Sequence, residues 1–490
     1  MENIAQVRLG LIAVSRSCFP ASLSEKRRKA VEKAYSGTLY ACPVIVETEL
    51  DMQRAIQDVK DQGVNALVVL LGNFGPETAE TLLVKQFGGP AMVVASAEGD
   101  GDLVDGRGDA FCGLLNCSYN LSLRSIPCYM PEYPVGDARE IAAMIDEFIP
   151  IARAVLSLRQ LKIISFGPRP QDFLACNAPI QGLFDLGVEI EENSELDLLA
   201  AYHAHADDQR IPALVKEMSE QVGSTVYAGV LPRLAQYEIT LLDWAKEHAG
   251  SRSFVAFANK CWPAFQTEFK FVPCYVNSRL TARGIPVSCE VDIYGALSEY
   301  LGICVSEHPV TLLDINNTVP STLYEQYIRT KRSYRNDDLF MGFHCGNTDC
   351  SLLKNPHMGY QLIMKRDLEP DPAEPDITRG TMEGDLVAGP ITMFRLQSTS
   401  RGELKAYVAE GEVLDVPTHS FGSIGVIGVE EMARFYRYVL LAKAYPHHTA
   451  VAFRHVGKAL FSLFSYLGIE DISYNQKASQ IYANENPFKH

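Results

Sequence analysis

The first third of the chain alternates between two textures. VRLGLIAVS (7–15) is followed by EKRRKAVEKAYSG, CPVIVET by DMQRAIQDVKDQG, and NALVVLLG and PAMVVAS close the series. Short, uninterrupted apolar runs rich in β-branched residues suit strands buried on both faces. The charged stretches between them carry apolar residues at helical spacing. Because parallel neighbours must be joined by crossovers, this alternation predicts a parallel sheet covered by helices. The cycle restarts near residue 160, where LKIISFGPRP, the helical pattern IPALVKEMSEQVG and the strand-like SFVAFANK follow one another. After about residue 305 the texture turns β-rich with turns (GPITMFRLQ, LKAYVAEGEVL, FGSIGVIGV) and ends in HTAVAFRHVGKALFSLFSYLG, read as a helix. The expected fold is α/β: two N-terminal doubly wound parallel-sheet domains, 1–158 and 159–305, then a mixed α+β, largely antiparallel C-terminal domain, 306–490.

Composition narrows the function. With 490 residues, 47% hydrophobic and 21% charged, the chain has ordinary globular composition and enough length for several cores. The start MENIAQVRLGLIAVS has neither the basic opening nor the apolar length of an export or membrane segment, so a soluble cytoplasmic protein is expected. Twelve cysteines without a CxxC pair suit reduced, buried thiols. A net charge of −16 repels phosphate backbones and sets nucleic acid aside as a partner.

Several motifs dissolve on counting. EGDGDLVDGRGD (98–109) has its glycine out of register and no glutamate at the twelfth position of a calcium loop, so it reads as a solvated turn. FHCGNTDC (343–350) lacks the second half of a structural zinc site. DLEPDPAEPD reads as an exposed spacer. Neither GxGxxG nor GxxxxGK[ST] occurs, which argues against nucleotide-dependent chemistry.

Four stretches combine ligand-type side chains with apolar or turn surroundings: SCEVDIYG (288–295), TLLDINNTVP (311–320), MGFHCGN (341–347) and YPHHTA (445–450). Each has a plain structural explanation. Glu290 and Asp292 suit the first turn of a helix, Asp314 a strand-end turn, His344 a packed core position, and His447 or His448 a helix cap. Together they supply carboxylates and imidazoles, an oxygen and nitrogen set that suits Mn²⁺ or a similar divalent ion better than thiolate-seeking zinc.

GIPVSCEVDIYGALSEYLG, then LLDINN, then HHTAVAFRHVGKALFSLFSYLGI resemble the L-fucose isomerase family, within the group that includes L-arabinose isomerases. The resemblance is specific from AFANKCWPAFQTEF at residue 256 to about residue 475. It implies that Glu290, Asp314 and His448 bind a metal, with His344 matching the first metal histidine of the arabinose isomerases. It further implies that Gln266 contacts the sugar and that Arg16, in SRSCFP, is contributed by a neighbouring subunit of a homotrimer or homohexamer. His447 and Asn347 are then expected to face the sugar. His455, seven residues beyond His448, is expected to donate to a backbone carbonyl.

The residue chemistry agrees. Interconverting an aldose and a ketose moves a proton between C1 and C2, a carbon acid too weak for an unaided carboxylate. A divalent ion chelated by O1 and O2 stabilises the enediolate, while Glu290 and Asp314 take the proton and return it. Two departures from the fucose-type pattern, Arg169 in GPRPQDF and Arg454 in FRHVG, either pair with surface acids or bind an anionic sugar such as sulfoquinovose or a sugar phosphate. A sugar-binding protein without catalysis, and a metal-dependent aldolase or epimerase, are the competing readings.

Overall fold

The computed structural model describes the whole chain except residues 103–106, 224, 332, 489 and 490, so the centre of the 98–109 turn lies outside the described residues. The chain divides into two compact units, Ala5–Ser157 with Ser462–Gly468, and Met1–Ile4 with Leu158–Phe461 and Ile469–His490. Among the described residues no helix is long and apolar enough to cross a membrane.

The smaller unit is built on five parallel strands, β1 (Leu9–Val14), β2 (Leu39–Ala41), β3 (Ala66–Leu71), β4 (Ala91–Ser96) and β5 (Val135–Gly136), in the order β2-β1-β3-β4-β5. LGLIAV, ALVVLL and AMVVAS are buried along their whole length, the pattern of strands covered on both faces. CPVIVET departs from the expected strand. Only Val46 makes a bridge to Val14, and the paired strand lies just before it, because Pro43 cannot donate to a ladder.

The larger unit carries a parallel sheet and an antiparallel barrel on one shared core. Strands β6 (Leu161–Gly167), β7 (Glu189–Ser194), β8 (Phe254–Ala258) and β9 (Val287–Ser288) are parallel in the order β7-β6-β8-β9. The remaining strands are β10 (Val310–Asn317), β11 (Leu339–His344), β12 (Leu353–Tyr360), β13 (Arg379–Leu386), β14 (Gly389–Ser398), β15 (Leu404–Leu414), β16 (Ser423–Gly428), β17 (His448–Ala452) and β18 (Asp471–Tyr474). Pairing of β15 with β16 closes β16-β11-β10-β17-β14-β15 into an antiparallel ring, which removes its open edges. Phe166 and Phe257 of the parallel sheet share a cluster with Leu313, Met393 and Val451 of the barrel.

The structure corrects the expected C-terminal helix. HTAVA is β17, with both faces buried, and only Gly457–Tyr466 of the segment is helical. A strand buried on both faces loses its alternation, so its apolar run reads equally well as a buried helix.

Candidate active site

The carboxyl ends of parallel strands are where α/β sheets deliver ligand-binding loops. Beyond β6 the chain forms a loop carrying Arg169, Phe173 and Cys176; beyond β8, one carrying Trp262 and leading to Gln266; beyond β9, the tight turn Cys289–Val291. In that turn Glu290 and Val291 have φ of 53° and 55°. A β-branched residue in the left-handed region is strained. The Val291 N–H donates to the Asn259 carbonyl at 2.8 Å and helps hold it there. The turn breaks strand alternation at Glu290 and sets Asp292 as N-cap of the helix Ile293–Ser306, accepting from the Gly295 N–H at 2.8 Å. A Cβ at Gly295 would strike Ser288 Oγ and the Asp292 carboxylate, so the cap requires glycine there.

The barrel supplies the opposing groups. Asp314 on β10 is in register with His448 on β17 and with Phe343, the residue before His344, on β11. His448 Nε2 lies 3.5 Å from Glu290 Oε2 and 3.4 Å from Asp314 Oδ1. His447 Nε2 stands 3.5 Å from the same Asp314 oxygen. Glu290 Oε2 and Asp314 Oδ1 are both buried with no hydrogen-bond partner among the described residues. Burial pushes the Glu290 carboxyl up to about 7, with the neighbouring Asp314 adding to the shift and His448 opposing it. Burial likewise raises Asp314. Two like charges in one dry site call for a cation.

Behind this group lies a second layer. Asp292 receives a bidentate pair from Arg395, Nη1 to Oδ2 and Nη2 to Oδ1, both at 2.8 Å, and its Oδ2 is 2.8 Å from His448 Nδ1. Burial opposes ionisation of Asp292, yet Arg395 and His448 hold its carboxyl well below the usual range. Burial also opposes a charge on His448, but its hydrogen bonds with Asp292 and Cys176 outweigh it and raise the imidazole. With Nδ1–H directed at Asp292, the His448 Nε2 is left facing the two orphaned carboxylate oxygens.

His344 joins the same group, its ligand-type nitrogen within 4.8 Å of those of Asp314 and His448. The resemblance implies a further metal ligand at this position, and the ring stands among groups that could hold an ion. Its Nδ1 accepts the Cys345 N–H at 3.0 Å, which leaves the proton of the neutral ring on Nε2, the nitrogen facing the group. Burial lowers this imidazole to about 3, consistent with a neutral ring.

Gln266 is fully buried and Asn347 3% exposed; both amide atoms of Gln266 and the Oδ1 of Asn347 lack partners among the described residues. Arg169 donates through Nε to the carbonyl of Cys176 at 2.9 Å, and the Cys176 Sγ is 3.5 Å from His448 Nδ1, so this arginine adjoins a residue that packs behind the His448 ring. Arg454 does not join it. Its Nη1 donates to the Ser306 carbonyl, at the far end of the helix that Asp292 caps, roughly 20 Å away at 1.5 Å per residue. His455 is exposed, with Nε2 3.2 Å from the Gly411 carbonyl. Arg16 belongs to the smaller unit, where it lies over the Phe74 ring and 3.7 Å from Glu77.

Sequence reasoning missed Phe173, Trp262, Cys176 and Arg395. Phe173 packs edge-on to His447 and Trp262, with centroids 5.5 and 6.2 Å apart, and the Trp262 side chain hydrogen-bonds Glu290. Arg395 had a signal, a lone cation inside the apolar run ITMFRLQ.

The donor set fits a divalent ion: two carboxylate oxygens without partners and, facing them, one imidazole nitrogen that would give up its proton to the incoming ion, from Glu290, Asp314 and His448.

Residues 10–159 match the family described as "Fucose/sulfoquinovose isomerase, N-terminal domain", and residues 342–474 match "L-fucose isomerase, C-terminal domain". The sulfoquinovose isomerase of Priestia megaterium (strain ATCC 12872 / QMB1551) is 23% identical over 477 residues, covering 94% of this chain and 98% of that protein. That of Clostridium sp. (strain MSTE9) is 24% identical over 343 residues, covering 69% and 70%.

Proposed function

Because the chain belongs to the fucose isomerase-like family and is an aldose–ketose isomerase, we propose that its substrate is an anionic aldose, sulfoquinovose first, converted to its 2-ketose with a divalent ion such as Mn²⁺ bound by Glu290, Asp314 and His448. The observation that carries the reading is the pair of buried, unpartnered oxygens, Glu290 Oε2 and Asp314 Oδ1, converging on His448 Nε2.

When bound, the ion supplies Lewis-acid stabilisation of the negative charge that gathers on O1 and O2 of the opened sugar. The protein's own groups do the rest. Glu290 and Asp314 are the groups within reach to carry the proton between C2 and C1, and a carboxyl raised towards neutrality by burial is suited to both halves of that exchange. Arg395 and Asp292 fix the His448 ring so that its lone pair faces inward. Phe173 and Trp262 form an apolar wall that keeps water from the enediolate. Gln266 and Asn347 offer buried amide atoms to sugar hydroxyls, and His447 a ring nitrogen.

The anionic end is assigned to Arg169. Among the described residues no carboxylate pairs with it, and only its Nε is engaged, which leaves the guanidinium fork open to a sulfonate. The same reading carries a trimeric or hexameric assembly in which Arg16 reaches a neighbouring site, and sedimentation velocity reports it.

Purified enzyme with Mn²⁺ and sulfoquinovose in D₂O is expected to form the ketose with deuterium entering at the carbon that gains the proton, and to turn over neutral L-fucose poorly. Arg169→Met should raise KM for the sulfonated sugar and leave the neutral one unchanged. Efficient turnover of the neutral sugar alone would remove sulfoquinovose from this reading.

A further inference from the structure

We infer that His344 is a catalytic hydrogen-bond donor to the reacting sugar oxygens and not a metal ligand, an inference that rests on the isomerase reading above. The sequence at this point is FHCGN: β11 ends on His344 and the chain turns at once through Cys345 and Gly346. That turn brings the Cys345 N–H to His344 Nδ1 at 3.0 Å. A ring nitrogen that accepts a hydrogen bond bears the lone pair, so the single proton of the neutral imidazole resides on Nε2. A metal-bound imidazole needs the reverse arrangement, with a lone pair towards the ion and an N–H towards an acceptor behind. His448 has that arrangement through Asp292, and His344 does not.

The Nε2–H of His344 is a donor without an acceptor among the described residues. The carboxylate oxygen of Glu290 that faces it, Oε2, is 3.9 Å from Nε2, beyond hydrogen-bond range, and the ring is 4% exposed. Its nitrogen also lies within 4.8 Å of the Asp314 and His448 ligand atoms. A buried, unspent N–H aimed at the point where two carboxylates and an imidazole converge is placed to meet the oxygen on which charge develops during enolisation. A neutral imidazole suits this role, because it polarises the sugar carbonyl and then solvates the enediolate oxygen while keeping its own proton. Glu290, Asp314 and His448 remain as the residues that would hold the ion.

The test uses the full chain stripped of metal. Mn²⁺ affinity, followed by electron paramagnetic resonance, is expected to be unchanged in His344→Leu and His344→Gln. kcat should fall on the order of 10²-fold or more in His344→Leu with a smaller change in KM. It should recover in part in His344→Gln, whose amide N–H stands near the position of Nε2. The ¹⁵N spectrum of the wild-type enzyme loaded with diamagnetic Mg²⁺ should show His344 protonated at Nε2, a measurement that does not depend on any variant folding. An unprotonated Nε2 there, a loss of Mn²⁺ affinity in both variants, or an unaffected kcat in His344→Leu overturns the inference. Metal affinity and the nitrogen spectrum need no sugar, and kcat is read with whichever aldose the wild type converts. A wrong sugar in the proposed function therefore leaves the outcome for His344 readable.

Discussion

Asp292 Oδ2 and His448 Nδ1 stand 2.8 Å apart, with each side chain only 1% exposed. Asp292 is held from the other side by both terminal nitrogens of Arg395, a side chain with no exposed surface. The triad therefore has one arrangement available to it, and the ring nitrogen that faces the carboxylates is determined by two residues that lie behind the ligand set. Outer-layer carboxylates of this kind typically contribute about 10- to 100-fold to metal affinity.

Asp292→Asn keeps the shape of the cap but leaves Arg395 with a neutral partner. Removing one member of a buried ion pair typically costs about 3–5 kcal/mol. The variant is expected to unfold earlier in a thermal melt and to bind Mn²⁺ on the order of 10- to 100-fold more weakly. Unchanged affinity in a calorimetric titration would show that His448 needs no such support.

Glu290→Gln and Asp314→Asn should separate stability from activity. Burial raises both carboxyls, and Asp314 adds to the rise at Glu290, so removing one charge relieves the metal-free protein. The expected outcome is an equal or higher melting temperature in the metal-stripped variants, together with a kcat lowered on the order of 10²-fold or more. A variant that loses stability and keeps turnover would reverse the assignment.

Much of this was legible in the sequence, for identifiable reasons. Strands β1, β3 and β4 of the smaller unit are continuous apolar runs followed by helices, and nothing competes with that pattern, whereas CPVIVET carries the same texture with a proline at its start and the paired strand falls before it. Glu290, Asp314 and His448 are brought together from segments that each carry a ligand-type side chain beside a turn. β17 was hidden because HTAVA is buried on both faces and has no alternation to display. Arg454 was misplaced for the same reason: once the segment is a strand, the chain has left the site by the time it reaches that residue. Asp292 looked like an ordinary first-turn acid, which it is; its second role becomes visible only with Arg395, 103 residues further on, in contact. His344 stood in one of the four ligand-type stretches and does join the group, but the backbone amide that its Nδ1 accepts leaves no trace in a sequence.

The paired histidines give a three-way test. His448→Ala should lose bound metal and activity together. His447→Ala should retain metal, because among the candidate ligand carboxylates described its ring nitrogen pairs with Asp314 alone while the ring packs against His448 and Phe173, and should lower turnover. His455→Ala should leave both intact, since its exposed ring touches a backbone carbonyl far along the chain from β17's start. Metal content by mass spectrometry on the three proteins decides the order, and retention of metal by His448→Ala is the result that this geometry does not allow.

The smaller unit carries its own pH signature in Glu80. Its side chain has no exposed surface, and neither carboxyl oxygen accepts a hydrogen bond from a conventional donor among the described residues. A Cβ at Gly75, which has φ of 77°, would strike its Oε2, so the pocket is closed on that side by backbone alone. Burial raises the carboxyl to about 8, with the Cys117 thiol offsetting only part of the shift. The folded chain thus keeps a proton that the unfolded chain releases near its ordinary carboxylate pKa. Between those two values the unfolded state binds fewer protons, and stability falls as pH rises, by up to about 1.4 kcal/mol per pH unit from this one group. Below that window the group adds no slope, and above about 8 the loss is complete. Glu80→Gln keeps the volume and removes the titration, so its melting temperature should exceed that of the wild type by a margin that widens from about pH 5 to about pH 8. Parallel melting curves across that range would mean that Glu80 is ionised in the folded protein.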